Sequence, residues 1–184
     1  MRKIAFSLFL IASTCYTQGQ ETIQQSDSGF HKNEVKWNIG NTIAFGSIEL
    51  GYEYFIDGNE SLGAEILFND SYNYAISRQY KDFDTHSFQL TYNYYTGTES
   101  NNSGLVLSPL LKYRFGTYQE NEAATKINMN SLILGFGIGY KWNFNDKFVF
   151  GPYLNIGRNF SEKVNEKFSI AVEFNAGIGI GYRF

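Results

Sequence analysis

The chain has 184 residues, 43% hydrophobic and 18% aromatic, with 15 Lys and Arg against 18 Asp and Glu for a formal net charge of −3. That length suits one domain, and the acidic balance gives no footing for a nucleic-acid partner. A single cysteine, Cys15, excludes both a disulfide framework and a thiolate metal site, so the fold rests on backbone pairing and packing.

Residues 1–19 read as a secretory signal peptide. Arg2 and Lys3 precede an apolar run over 4–12, followed by small and polar residues through Gln20. The run is too short for a membrane helix of about 20 residues and has the flanks of a cleavable leader. Cleavage is placed after Gly19, with Thr17 as the alternative. Thr14 stands where a lipoprotein signal carries a small Gly, Ala or Ser, which argues against lipidation of Cys15. Losing Arg2 and Lys3 leaves 13 basic against 18 acidic residues and a mature charge of −5. Residues 20–34 are polar and aperiodic, a flexible N-terminal segment.

From residue 35 to 184 the pattern is period two, the repeat of a strand whose side chains alternate between faces. The first strand, 35–45, sets Val35, Trp37, Ile39, Ile43 and Phe45 on one face, with Asn41 as the exception. Gly46-Ser47 makes a tight turn. The second strand sets Ile48, Leu50, Tyr52, Tyr54 and Ile56 against Glu49, Gly51, Glu53 and Phe55, and Asp57-Gly58 supplies a hairpin through positive φ. The third, 61–69, carries Leu62, Ala64, Ile66 and Phe68 opposite Glu65. Residues 70–85 read as a long loop. The fourth strand follows with Phe88, Leu90, Tyr92 and Tyr94 on the apolar face. The fifth sets Leu105 to Phe115 against Lys112 and Arg114, with a bulge expected at Pro109. After a polar stretch over 116–130, the sixth carries Leu132 to Trp142 opposite Gly135, Gly137, Gly139 and Lys141. The seventh carries Phe148 to Ile156 opposite Tyr153.

The last strand, 168–184, alternates without a break: Phe168, Ile170, Val172 and onward to Tyr182 and Phe184 on one side, and Glu173, Asn175, three glycines and Arg183 among the other. It is longer than the five or six residues usual in soluble sheets and suits a tilted membrane crossing. Eight such strands predict an all-β fold: an eight-stranded antiparallel up-and-down transmembrane β-barrel, closed so that no edge meets lipid. The strand charges share the parity opposite to the apolar residues. Lys36, Glu49, Glu53, Glu65, Lys112, Arg114, Lys141, Glu173 and Arg183 are therefore expected to form an ion network filling a narrow lumen, which leaves no wide pore. With both termini periplasmic, Trp37, Tyr54, Tyr94, Trp142 and Phe148 form a periplasmic aromatic girdle, and the longer loops face outside.

The leader, Lys36 and Asn38, Glu53-Tyr54 before the turn, Ser61-Leu62-Gly63 and the final Tyr182-Arg183-Phe184 together resemble small Gram-negative outer-membrane barrels of the OmpA-transmembrane, OmpX and OmpW-like groups. The resemblance implies an outer-membrane location and a surroundings of lipid and lipopolysaccharide. It also implies a monomer, assembled by the barrel-assembly machinery through a signal at Phe184 supported by Tyr182. The function it implies is structural or interaction-based, through surface loops.

Two other readings remain open. His86 at the outer rim, near Ser87, Asp82 and Asp84, is the one neighbourhood with a base, a hydroxyl and carboxylates, as a lipid-modifying enzyme would need. Adjacent strand residues face apart, however, so His86 and Ser87 do not readily bond. A secreted soluble barrel with an apolar ligand inside would invert every face. No catalytic residue, cofactor site or metal site is assigned: the GFGIG run at 135–139 reads as a glycine column, and His31 with His86 lacks ligand spacing. Glu49 and Glu53, on one face of one strand, read as network members and not as an acid/base pair. Tyr153 is expected to lie between the glycine columns of the sixth and last strands, its hydroxyl reaching a lumen charge.

Overall fold

The structure, a computed structural model, describes residues 31–70, 82–97, 102–119, 125–168 and 171–184. The signal peptide assigned to 1–19, and His31's neighbours up to residue 30, lie outside these. The elements in chain order are β1 (Asn33–Asn38), α1 (Ile39–Phe45), β2 (Ile48–Phe55), β3 (Glu60–Phe68), β4 (Asp82–Tyr95), β5 (Gly104–Gln119), β6 (Ile127–Asn128), β7 (Ser131–Phe144), β8 (Phe148–Asn159), α2 (Glu162–Phe168) and β9 (Val172–Arg183). Sequential strands pair antiparallel. β1 pairs with β9 and β4 with β5, which closes the sheet into a barrel of eight staves, with the two-residue β6 as a flap on β5. No helix among the described residues is long and apolar enough to cross a membrane, which says nothing of a barrel.

Burial fixes which face is which. Arg114, Glu34 and Ser61 are fully buried, whereas Leu62, Leu134, Ile178 and Phe174 are about half exposed on the outer wall. The inverted arrangement, with an apolar interior, is not the one the chain adopts. At the rim where β1 begins and β9 ends, Phe184 continues the ladder. Its N–H donates to the Asn33 carbonyl at 2.9 Å and its carbonyl accepts from Asn33 at 3.2 Å, while its ring lies outside.

Several local expectations give way to other solutions. β1 starts at Asn33, so Lys32-Asn33-Glu34 is not all flexible lead-in: Glu34 belongs to the wall. β1 also stops at Asn38, and the stretch assigned to its second half is α1. The Asn38 side chain caps this helix by accepting from the Asn41 N–H at 3.2 Å, and Gly46 closes it in the left-handed region at φ 67. Helical turns, not alternation, carry Ile39 and Asn41. That is why Asn41 broke the pattern: it points inward and is buried, while Ile43 is 80% exposed.

The turn at Asp57-Gly58 needs no positive φ. The Asp57 carboxylate instead accepts the N–H groups of Asn59 and Glu60 at 2.7 and 2.8 Å. Positive φ appears at Asn145 and Asp146, between β7 and β8. Pro109 produces no bulge: the β5–β7 register runs continuously from Gly104↔Lys141 to Arg114↔Ser131. The β4–β5 ladder skips the residues opposite Ser108 and Pro109 and resumes in the same register, and the β7–β8 ladder does the same beside Pro152. A missing donor therefore interrupts the ladder on one side without displacing a stave. β4 begins at Asp82, inside the expected loop, β5 runs on to Gln119, and the last strand, expected from residue 168, begins at Val172, with Phe168 the end of α2.

Candidate functional site

The interior holds three stacked groups of polar side chains. At the chain-terminal end, the Arg183 guanidinium donates to Glu34 at 2.9 Å and to the Asn102 carbonyl at 2.7 Å, and lies 4.7 Å from the Phe55 ring centre. Glu34 also accepts from Lys141 at 2.9 Å. The Lys141 ammonium reaches Glu53 at 3.1 Å and the Tyr95 hydroxyl at 2.8 Å, and Tyr95 in turn donates to Glu53. Lys36 links Glu53 at 3.2 Å to Glu65 at 2.9 Å. Three acids and three bases thus form one connected chain.

At the opposite end Arg114, fully buried, offers its planar fork to Glu173 at 2.7 and 2.6 Å and its Nε to Asp70 at 3.0 Å. Such a bidentate pair fixes geometry as well as charge. Lys112 adds an ion pair to Asp70 at 2.7 Å, Ser87 donates to the same carboxylate, and Asn159 donates to Glu173 at 2.6 Å. Asp70 lies beyond the end of β3. Burial alone would raise its carboxyl pKa, but Arg114 and Lys112, with Ser87, outweigh burial and hold it below the usual carboxylate range.

Between the two lies Glu49. Asn38 donates to it at 2.6 Å, Asn41 at 2.8 Å, the Tyr153 hydroxyl at 2.8 Å and Asn175 at 3.5 Å. Asn38 also donates to the Tyr153 hydroxyl. Tyr153 sits in register between Gly139 of β7 and Gly177 of β9. A Cβ on Gly139 would meet the Tyr153 Cβ at 3.3 Å, so that glycine gives the ring its room.

The structure therefore places all nine of the strand charges named from the sequence on the inner wall, and joins eight of them through ion pairs. Glu49 stands apart from both networks. Glu34 and Asp70 were missed. Glu34 has the inward parity two residues before Lys36 and was legible. Asp70 was not, because positive φ at Asn69 turns the chain after β3 and carries Asp70 inward from the parity of the outer wall.

His86 lies on the outer wall between the Phe68 and Phe115 rings, each 5.8 Å away, with Asp84 at 3.3 Å. Ser87 points inward to Asp70, so the two do not form a dyad. Among the described residues no group of three or more His, Cys, Asp or Glu converges as a metal site. On the outer wall Trp37, Ile180, Phe150 and Trp142 stand in one cross-strand row, and Trp142 stacks on Phe150 at 4.8 Å. Tyr54, Tyr94 and Phe148 lie nearer the chain-terminal rim, all exposed. The Trp37 indole N–H donates inside the protein, to the Thr42 hydroxyl at 3.0 Å.

No protein-family model matches the chain, and no curated protein does. A solved structure does match. The chain is similar in fold to the N-terminal β-barrel domain of Pseudomonas aeruginosa OprF, with a TM-score of 0.51 and 17% sequence identity over 85% of this chain and 100% of that one. At that identity the likeness is one of architecture: a closed eight-stranded antiparallel barrel.

Proposed function

We propose that this chain is a small integral outer-membrane barrel with a plugged, charged lumen, whose role is structural or interaction-based and not that of a wide pore. One observation carries the reading: the outer wall is apolar on every stave, while the interior is charged. Leu50, Leu62, Leu90, Leu111, Leu134, Leu154 and Ile178 are each about 40–50% exposed. A contiguous apolar surface of this extent is unfavourable in water and is the solvent contact a bilayer requires. Barrel closure meets the other demand of lipid, that backbone groups be paired within the protein. The aromatic row and the rings toward the chain-terminal rim suit a membrane–water boundary; in this reading both ends of the barrel chain are on the periplasmic side. The loops at the opposite rim then face outward. Lipid and lipopolysaccharide are the surroundings, the chain acts as a monomer, and Phe184 with Tyr182 is read by the assembly machinery.

Cell fractionation tests the reading. The protein is expected in outer-membrane fractions, resistant to carbonate and salt washes, with migration in detergent gels that changes on boiling. Release by carbonate would overturn the membrane assignment. Liposomes carrying the purified barrel are expected to show no passage of sugar-sized solutes.

A further inference from the structure

The barrel closes on a seam that is laddered along only part of its length. β1 and β9 pair from Glu34↔Arg183 to Asn38↔Gly179, and there β1 gives way to α1. Residues 172–178 of β9 therefore have β8 on one side and, among the described residues, no strand on the other. Asn33 and Phe184 exchange both backbone bonds across the seam, whereas the Arg183 N–H turns the other way, to the Lys147 carbonyl. Even-numbered residues of β9 thus direct their backbone groups to the seam. This puts the N–H and C=O of Val172 and Ala176 where no strand meets them.

α1 fills part of this opening. A Cβ on Gly40 would stand 3.0 Å from the Ile178 nitrogen, and the Asn41 amide donates to the Asn175 side chain at 2.7 Å. A helix of 7 residues is about 10 Å long, however, against about 23 Å for as many strand residues. Since α1 also returns the chain to Ile48 of β2, the outer part of the β9 edge stays open as a notch in the wall. Ile43 of α1, 80% exposed, and Val172 and Phe174 of β9, about half exposed, give its borders an apolar character. A cation stands next to it. Arg158 is the one Lys or Arg on the described strands that faces outward, and it lies directly across from Val172 in the β8–β9 register. Its guanidinium is 5.9 Å from the Phe160 ring centre and has no ion pair among the described residues. Its cross-strand neighbour on β7 is Leu134.

We infer that this notch seats one phosphate-bearing lipid of the outer leaflet, with its phosphate on Arg158 and an acyl chain against α1 and the open edge of β9. The inference rests on the outer-membrane reading and names a lipid site within it. Backbone groups at that depth meet no water, so an open edge is stable only beside a neighbour that offers hydrogen bonds. The hydroxyl, ester or amide groups that join a lipid's chains to its headgroup offer them one strand away from Arg158. A planar guanidinium takes a phosphate through two parallel bonds, which selects phosphate over an uncharged headgroup. A second copy of the chain does not fit the edge. Two barrels in one membrane share an orientation, so their tilted β9 strands cross instead of aligning.

The full mature chain, purified in detergent, tests the site by native mass spectrometry. The probes are dioleoyl phosphatidic acid, dioleoylglycerol, which has the same chains without the phosphate, and inorganic phosphate. One phosphatidic acid per chain is expected, held several-fold more tightly than dioleoylglycerol, with that preference lost in Arg158→Gln. Equal affinity for the two lipids, or a preference unchanged in Arg158→Gln, would overturn the site. Displacement of phosphatidic acid by inorganic phosphate would also overturn it, by showing a site for a free anion. A diazirine placed mid-way along the acyl chain is expected to label residues 39–45 and 172–178 above the rest of the outer wall. Even labelling of all staves, or a peptide strand recovered in place of lipid, counts against the notch. A protein that survives carbonate washing but shows no phosphatidic acid preference sinks the site and spares the membrane reading; release by carbonate sinks both.

Discussion

The two ends of the lumen use the same kinds of charge to different effect. Around Arg114 a rigid guanidinium is fully buried and grips two acids in a fixed plane, one of them bidentately. Around Lys141 a flexible ammonium, 15% exposed, is shared among Glu34, Glu53 and the Tyr95 hydroxyl. Each of those acids also has a second base: Arg183 for Glu34 and Lys36 for Glu53. One end is a clamp with little redundancy and the other a mesh. Guanidinium and ammonium are not interchangeable in this respect.

Mutations should separate clamp from mesh. Arg114→Met removes the bidentate partner of Glu173 and one of the two bases paired with Asp70, and should cost about 3–5 kcal/mol in reversible urea unfolding, as breaking a buried pair does. Adding Glu173→Gln, which leaves Asp70 paired with Lys112, should recover most of that loss; if it does not, the cost lies in packing and not in stranded charge. Lys141→Met should cost less, about 1.5–3 kcal/mol, because Arg183 and Lys36 still neutralise its partners. Equal losses at the two sites would erase the distinction.

Packing sharpens the comparison further. A Cβ at Gly135 would meet the Ile156 carbonyl at 2.3 Å, a backbone neighbour that cannot swing aside, whereas at Gly179 the nearest atom, the Gly151 carbonyl, is 4.0 Å away. Gly135→Ala should therefore destabilise by on the order of 1–3 kcal/mol, with Gly179→Ala near neutral by the same measurement. At Gly137 the obstacle is the Asn155 amide oxygen at 2.3 Å, the end of a side chain that can turn, so Gly137→Ala should fall between them. Deleting Phe184 tests assembly apart from stability. Outer-membrane levels should fall by more than the burial of one ring, about 1.5–3 kcal/mol, would account for; normal levels would refute the assembly role.

The smallest effect concerns pH. Because the Asp70 carboxyl is held below its unfolded value, its contribution to stability is complete above the ordinary carboxylate range. It is lost progressively as pH falls from that range down through its own, lower value. Asp70→Asn should therefore flatten the acid limb of the stability curve while leaving its slope near neutrality unchanged.

Alternation by itself determined the barrel, the inner and outer parities and most of the interior charges, because a two-residue repeat is a local property of the strand and survives any tertiary context. It also located Tyr153 between glycines, since antiparallel neighbours follow from chain order. Only the tertiary structure decided where alternation stops. Asn38 and Gly46 sit at the spacing of a helix cap and terminator, yet Ile39, Ile43 and Phe45 also fit a strand, and the choice of α1 is settled by what Asn41 bonds across the barrel: Glu49 and, at 2.7 Å, Asn175, 134 residues away. Asp70 came inward through one backbone angle at Asn69 that composition does not encode. That Glu49 makes no ion pair among the described residues was likewise invisible, because a count of nearly equal charges cannot say which acid is bonded by neutral groups alone.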